Sequence, residues 1–250
     1  MAKIKKIVII GATSAMAEEC ARLWLQGSAI ELVLVGRDAV RTERVADDLR
    51  VRNPAAMVKV VVSHFIDPME IQTTVDHIAG DGAVDMALIA HGLLPDQRHC
   101  QSDLSACQDA LVINGISPVL FAEAFASHMA KSGHGTVAII GSVAGERGRK
   151  SNYVYGAAKG LVTRYAQGLQ HRFAGSSVKI VLIKPGPTDT PMTAHLKNQG
   201  AKLASVEAVA QGIVNAVDQG LSEVYVPGKW RLIMWVIRHM PAFIFNKLNI

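Results

Sequence analysis

The chain has 250 residues, with 26 basic against 21 acidic side chains, a formal net charge of +5, 50% hydrophobic residues and 19% charged ones. That length suits one domain with a sizeable core, and the apolar fraction excludes a disordered chain. Cys20, Cys100 and Cys107 form no C-x-x-C pair, which excludes a disulfide scaffold and a structural zinc site and makes a reducing, cytoplasmic setting the expectation.

The N-terminus has lysines before an apolar run, superficially like a signal peptide, but Ile7 to Ile10 is too short for one and reads better as a buried strand. Six more β-branched runs follow: Leu32 to Val35, Met57 to Val62, Val84 to Ala90, Thr136 to Ile140, Val178 to Ile183 and Glu223 to Val226. Between them lie segments with apolar residues at three- and four-residue spacing, such as Ala15 to Gln26, Ala39 to Arg50 and Tyr153 to Phe173. Strands with little alternation, separated by helices, predict an α/β single-domain Rossmann fold, a doubly wound parallel sheet of seven strands with ligands at the carboxyl ends. No stretch of about 18 uncharged apolar residues occurs, so no spanning helix is expected. The predicted organisation is a catalytic domain over residues 1–228 and a C-terminal hydrophobic, basic extension over 229–250.

After the first run comes Gly11-Ala-Thr-Ser-Ala15-Met-Ala17 and then a helical pattern, the context of a dinucleotide phosphate turn. Gly11 supplies backbone angles closed to other residues, and free amides at a helix start attract pyrophosphate. Gly11, Thr13, Ser14, Ala15 and Met16 are therefore candidate cofactor contacts; the alternative is a ligand-free strand-to-helix turn. The second run ends in Gly36-Arg37, without the acidic residue that would hold unphosphorylated ribose hydroxyls. Arg37 would pair with a 2′-phosphate, which favours NADP(H), or else is a solvated arginine at a helix start.

Further along, Asn114 sits in an otherwise apolar helical stretch, and a buried amide there needs a partner or a job. Ser142 follows the fifth run, at the end of the sheet where the doubly wound rule puts the active site. Thirteen residues later, Tyr155 and Lys159 stand four apart on one helix face.

With Gly11 and its turn, Asn114, Ser142, Tyr155, Lys159 and Pro185-Gly-Pro-Thr-Asp-Thr-Pro-Met192 in this order, the sequence resembles the short-chain dehydrogenase/reductase family from Ile7 to about Pro227. The resemblance implies an NADP(H)-dependent keto-reductase with catalytic residues Asn114, Ser142, Tyr155 and Lys159. Pro185, Gly186 and Thr188 or Thr190 would embrace the nicotinamide end, and Ala90 and Gly92 would contact the adenosine ribose. Asp67 is either the family's adenine contact or, in Asp67-Pro68, a helix cap.

In the implied mechanism Tyr155 exchanges the proton, and Lys159 lowers its phenol pKa from near 10 and bonds the nicotinamide ribose. Ser142 steadies the substrate oxygen. Asn114 would hold a water near Lys159. No metal is called for.

Two departures stand out. Ala15 and Ala17 replace the second and third glycines of the family turn, and Ile89-Ala-His-Gly92 replaces Asn-Asn-Ala-Gly. His91 reads as a structural histidine or a cofactor-side contact. The family also implies a homo-oligomer built on helices spanning Leu104 to Met129 and Tyr153 to Phe173.

Beyond the last strand, Lys229-Trp-Arg-Leu-Ile-Met-Trp-Val-Ile-Arg-His-Met240 precedes a Pro241 that should break the helix. Trp230, Ile233, Met234 and Ile237 share one stripe, but the helix is apolar nearly all round, which predicts burial. Three outcomes stay open: packing on the domain or in an oligomer interface, peripheral contact with the inner face of a membrane, or a lid over the substrate pocket.

The loop Ala90 to Asp96 and the Trp-rich ending are similar to reductases acting on polyprenyl-phosphate-linked keto-sugars, which implies a lipid-linked carbonyl or alcohol substrate. Lys229, Arg231, Arg238 and Lys247, with no acidic residue in 229–250, account for four of the five net charges. That address disfavours a nucleic-acid partner, since no basic strip interleaved with aromatics lies elsewhere. A non-catalytic NADP-sensing or scaffold protein on the same fold is the rival, and an intact Ser142, Tyr155 and Lys159 argue against it.

Overall fold

A computed structural model of the chain describes residues 4–26, 30–198 and 200–248. The first three residues of the N-terminal segment and the last two of the predicted extension lie outside that set. Every predicted β-branched run is a strand: β1 (Lys5–Ile10), β2 (Ile30–Gly36), β3 (Met57–Val62), β4 (Met86–Ile89), β5 (Gly135–Ile140), β6 (Val178–Pro185) and β7 (Glu223–Val226). The fourth is shorter than its apolar run, yet Ala90 still donates to the Ile10 carbonyl at 2.8 Å. The sixth extends two residues further because Lys184 and Pro185 pair with Tyr225 and Val226.

The helices are α1 (Ala15–Trp24), α2 (Ala39–Arg52), α3 (Pro68–Gly80), α4 (Gln97–Ser102), α5 (Leu104–Leu111), α6 (Ser117–Ser132), α7 (Tyr153–Arg172), α8 (Ala194–Asn198), α9 (Val206–Asp218), α10 (Lys229–His239) and α11 (Ala242–Phe245). Side-chain caps define several starts: Asp38, Asp67, Asp96, Asp103 and Ser205 each accept from amides of the first turn. Asp67 therefore caps α3 through Met69 and Glu70, which is the capping alternative read from the sequence.

The seven strands form one parallel sheet in the order β3-β2-β1-β4-β5-β6-β7. Alternate strand residues feed opposite faces. Ile7, Ile9, Leu32 and Leu34 pack under Ala17, Ala21, Val209 and Ile213 of α1 and α9. Val8, Ile10, Val33 and Val35 pack under Ile71, Phe121, Phe125 and Val162 of α3, α6 and α7. Two covered faces explain why the strands read as unbroken apolar runs. Leu104–Ser132 is one helical run apolar and long enough to cross a membrane, but most of it is buried in this second layer.

The strand order reverses between β1 and β4, so the crevice of the fold opens at their carboxyl ends. Register sets the turn after each strand side by side there, with Ile10 opposite both Val35 and Ile89, and Ile140 opposite Ile183. The fold is thus α/β, doubly wound and Rossmann-like.

Candidate active site

The crevice is a pocket whose wall contains Ser14, Met16, Ala90, Gly92, Ser142, Tyr155, Lys159, Pro185, Gly186, Thr188 and Thr190. Eleven of the seventeen candidate catalytic and cofactor-binding residues are therefore brought together, with His91 beside them. The other six, Gly11, Thr13, Ala15, Arg37, Asp67 and Asn114, are not part of its wall. Gly11 lies behind the first turn with φ +82°, and a Cβ there would stand 2.7 Å from the backbone nitrogen of His91. Only a glycine lets the β1 and β4 turns approach this closely. Ala15 begins α1, and Thr13 faces a separate groove with Arg41 and Arg44. Ser14 makes no side-chain bond to its own helix, so its hydroxyl and the first amides of α1 keep their hydrogen-bonding capacity.

Arg37 is exposed at the end of β2, its guanidinium 6.0 Å from the Phe65 ring centre, with no carboxylate paired to it among the described residues. His91 also lines the pocket, and its Nδ1 is buried without a partner. Its Nε2 hydrogen-bonds with the Ser117 hydroxyl at 2.8 Å and its ring packs on Phe65 and Phe121. Burial, aided by the Lys159 and Arg37 charges, pushes its pKa down to about 3, so it stays neutral.

Asn114 is fully buried, but not in a regular helix. Val112–Ile116 is a π-helical turn joining α5 to α6, an irregularity that hydropathy spacing does not reveal. The Asn114 amide donates to the Ala110 carbonyl at 2.9 Å and its Oδ1 accepts from Leu93 at 2.8 Å. Asn114 thereby holds the loop after β4 beside Lys159: a Cβ on Gly92 would lie 2.9 Å from Oδ1 and 3.8 Å from the lysine Nζ.

Tyr155 and Lys159 come from the first turns of α7. Small residues between them have a packing reason, since a Cβ at Gly156 would meet the Ala144 carbonyl at 2.9 Å. Tyr155 and Ser142 line the same pocket, and the Ser142 hydroxyl accepts from the Ala144 amide at 3.1 Å. Burial pushes the Tyr155 phenol up, the reverse of the direction the resemblance implies, while the neighbouring Ser142 hydroxyl works against it. Burial pushes Lys159 down to about 8. Its ammonium sits 5.9 Å from the Tyr155 ring centre and donates to the Ile140 carbonyl at 2.9 Å, leaving two N–H donors for a ligand. The arrangement is a neutral phenol beside a cation, ready to release a proton to an oxygen placed between Tyr155 and Ser142.

The segment after β6 is knitted by its own hydroxyls. Thr188 donates to the Gly186 carbonyl at 2.9 Å, and the Thr193 hydroxyl donates to the Thr188 carbonyl. Sequence reading missed the outer wall: Leu93, Leu94, Arg149, Asn152, Met192 and Leu196. Of these, Leu93 and Leu94 lay inside the quoted Ala90 to Asp96 loop and Met192 inside the Pro185 to Met192 motif.

It also missed how the extension is anchored. On α10, Met234 is buried against Val143 and Tyr225, with Trp230 and Ile237 alongside. The Trp230 indole covers Gly186 so closely that a Cβ there would stand 1.9 Å from its Nε1. Glu146 binds Lys184 and, at 2.9 Å, Arg238 of α10, while Lys184 also reaches Glu223 at 2.7 Å. Arg147 donates to the Ile237 and Met240 carbonyls at the end of α10, and its guanidinium lies 3.8 Å from the Phe245 ring centre.

Packing on the domain is therefore realised on one face only. Leu232, Trp235, Val236 and Phe243 stay exposed, which corrects the expectation of all-round burial, and Ile233 sits at the rim. The helix lies across a sheet edge, so only one side of it has a neighbour. Pro241 does separate α10 from α11.

A crevice at the switch point of a doubly wound sheet, with a Ser, a Tyr and a Lys lining it, is the kind of site oxidoreductases of this fold class use. The family model for short chain dehydrogenases matches residues 5–201, and the chain belongs to that family. Among its relatives are an uncharacterized oxidoreductase of Streptomyces coelicolor, 27% identical over 98% of this chain and 96% of the relative, and one of Mycobacterium tuberculosis, 26% identical over 97% and 96%. Two solved structures share the fold with TM-scores of 0.82. One is a short-chain dehydrogenase of Sphingobium yanoikuyae in complex with NADPH, 20% identical over 99% of this chain and 97% of that one. The other comes from Burkholderia cenocepacia in complex with NADP, 17% identical over 99% and 98%.

Proposed function

We propose that the protein is an NADP(H)-dependent reductase of ketones or keto-sugars in which Tyr155 delivers the proton. The observation that carries this reading is the convergence of Ser142, Tyr155 and Lys159 on one pocket at the carboxyl end of the sheet. The residues present suit the cofactor: the close turn at Gly11, the uncommitted Ser14 hydroxyl, the two spare Lys159 donors and an unpaired Arg37 for a 2′-phosphate. Ala15, Met16, Ala90 and the Pro185 to Thr190 segment would line its path. When bound, the cofactor supplies the hydride. Ser142 donates to the carbonyl oxygen, Tyr155 gives it a proton, and the Lys159 cation stabilises the phenolate that remains.

Two finer readings accompany it. The outer face of α10 and α11, with Leu232, Trp235, Val236 and Phe243 exposed among Lys229, Arg231 and Lys247, supports contact with an anionic membrane surface and a lipid-linked substrate. Exposed Leu104, Ile116 and Leu161 on the α5 to α7 layer support a homo-oligomer.

The test is direct. Wild type should bind NADPH at least tenfold more tightly than NADH, and Tyr155→Phe should keep NADPH binding while turnover falls by roughly 10²- to 10⁴-fold. Undiminished turnover in Tyr155→Phe removes the proton role. NADPH binding with no turnover over a broad carbonyl panel favours the sensing protein instead.

A further inference from the structure

Arg149 lies in the loop between β5 and α7 and lines the same pocket as Ser142 and Tyr155. Its Nε is buried without a hydrogen-bond partner, and among the described residues no carboxylate, carbonyl or hydroxyl accepts from its guanidinium. Burial alone pushes its pKa down from the ordinary arginine value. The buried Nε donor opposes folding, because water is removed from it and nothing replaces it. Arg147, two residues earlier, has all that Arg149 lacks: two carbonyls and an aromatic ring. The loop can satisfy a guanidinium, and at Arg149 it does not.

The surroundings indicate what completes it. Asn152 Oδ1, on the same wall, is also buried and unpartnered. Leu94, Met192 and Leu196 add apolar lining to the same pocket. An outer groove shares Leu94, Asn152 and Leu196 with the pocket and adds Arg98 and Lys150. Asp96, its one carboxylate, is engaged in capping α4 through the Arg98 and His99 amides. Potential cofactor-phosphate contacts at Ser14, Met16 and Arg37 belong to the turns after β1 and β2, whereas Arg149 belongs to the loop after β5.

We propose that Arg149 determines substrate specificity by binding an anionic group, a carboxylate or a phosphate ester, carried by the carbonyl substrate away from the carbon that is reduced. This rests on the reductase reading above. The planar guanidinium fork matches either anion bidentately, and Asn152 accepts from a neighbouring hydroxyl of the same substrate. The apolar wall takes the carbon skeleton.

The experiment uses the full chain saturated with NADPH and two matched probe pairs: levulinate against its methyl ester, and dihydroxyacetone phosphate against dihydroxyacetone. Wild type should favour the anion in one pair by at least tenfold in kcat/KM, and the preferred pair distinguishes carboxylate from phosphate ester. Arg149→Met should bring that ratio to about one, through KM rather than kcat, and Arg149→Lys should restore part of it.

A readout independent of turnover is thermal stabilisation by levulinate or inorganic phosphate, present in wild type and absent in Arg149→Met. The melting temperature of unliganded Arg149→Met should not fall, since the fold uses no Arg149 bond; a drop of several degrees would mark a structural arginine and overturn the proposal. So would the lack of any anion preference together with the lack of any anion-dependent stabilisation in wild type, or a tenfold loss of NADPH affinity in Arg149→Met. Anion-dependent stabilisation with no carbonyl turned over would instead overturn the reductase reading and leave the anion site standing.

Discussion

The loop that leaves β5 has two sides with opposite electrostatics. Toward the extension, Glu146 and Arg147 are engaged several times over, with Lys184, Arg238, the end of α10 and the Phe245 ring. Toward the pocket, Arg149 and Asn152 keep buried polar atoms without partners, and Lys159 uses one of three donors. The difference separates structure from binding: charges that hold the fold are closed by other parts of the chain, and charges meant for a ligand are left open. The same division runs across the sheet, where Lys184 on β6 is paired with two carboxylates and Arg37 at the end of β2 with none among the described residues.

The sharpest way to break this comparison is to remove a closed charge. Glu146→Ala leaves Lys184, 1% exposed, with only the more accessible Glu223, and should cost about 3–5 kcal/mol in denaturant unfolding. A loss below about 1 kcal/mol would show that the cluster is not structural. Arg147→Met should cost about 2 kcal/mol or less and act locally, seen as faster amide exchange or proteolysis of α10 and α11 with the sheet unaffected.

The pH dependence of the same cluster is signed. Burial alone would raise the Glu146 pKa, but hydrogen bonds from Lys184 and Arg238 outweigh it and hold it below 4.5. Its contribution is therefore fully present above the unfolded value and is lost as pH falls through the lower folded value, so Glu146→Gln should flatten the acid limb of stability below about pH 4.5. Arg238→Ala, whose side chain is 48% exposed, should have the smallest effect, at most about 1 kcal/mol.

Much of this molecule was legible in the chain. Seven β-branched runs gave seven strands because a parallel sheet covered on both faces needs apolar residues at every position. Gly11 was legible because its φ of +82° is open to few other residues, and the pairing of Tyr155 with Lys159 because four residues make one helical turn. The π-turn at Asn114 was not, since an extra residue in a helix leaves the apolar spacing almost unchanged. The Asp67-Pro68 pair signalled the cap that the Asp67 carboxylate makes on the Met69 and Glu70 amides of α3.

Local sequence thus determined the elements, their order and the catalytic spacing, because each depends on neighbours a few residues away. Tertiary structure alone decided which of two arginines in one loop is closed and which is open, and which face of α10 is covered. Those outcomes rest on contacts across 38 to 93 residues, such as Lys184 to Glu146 and Arg147 to Met240. Only the packing of distant segments can put a carboxylate, a carbonyl or an empty pocket in front of a given charge.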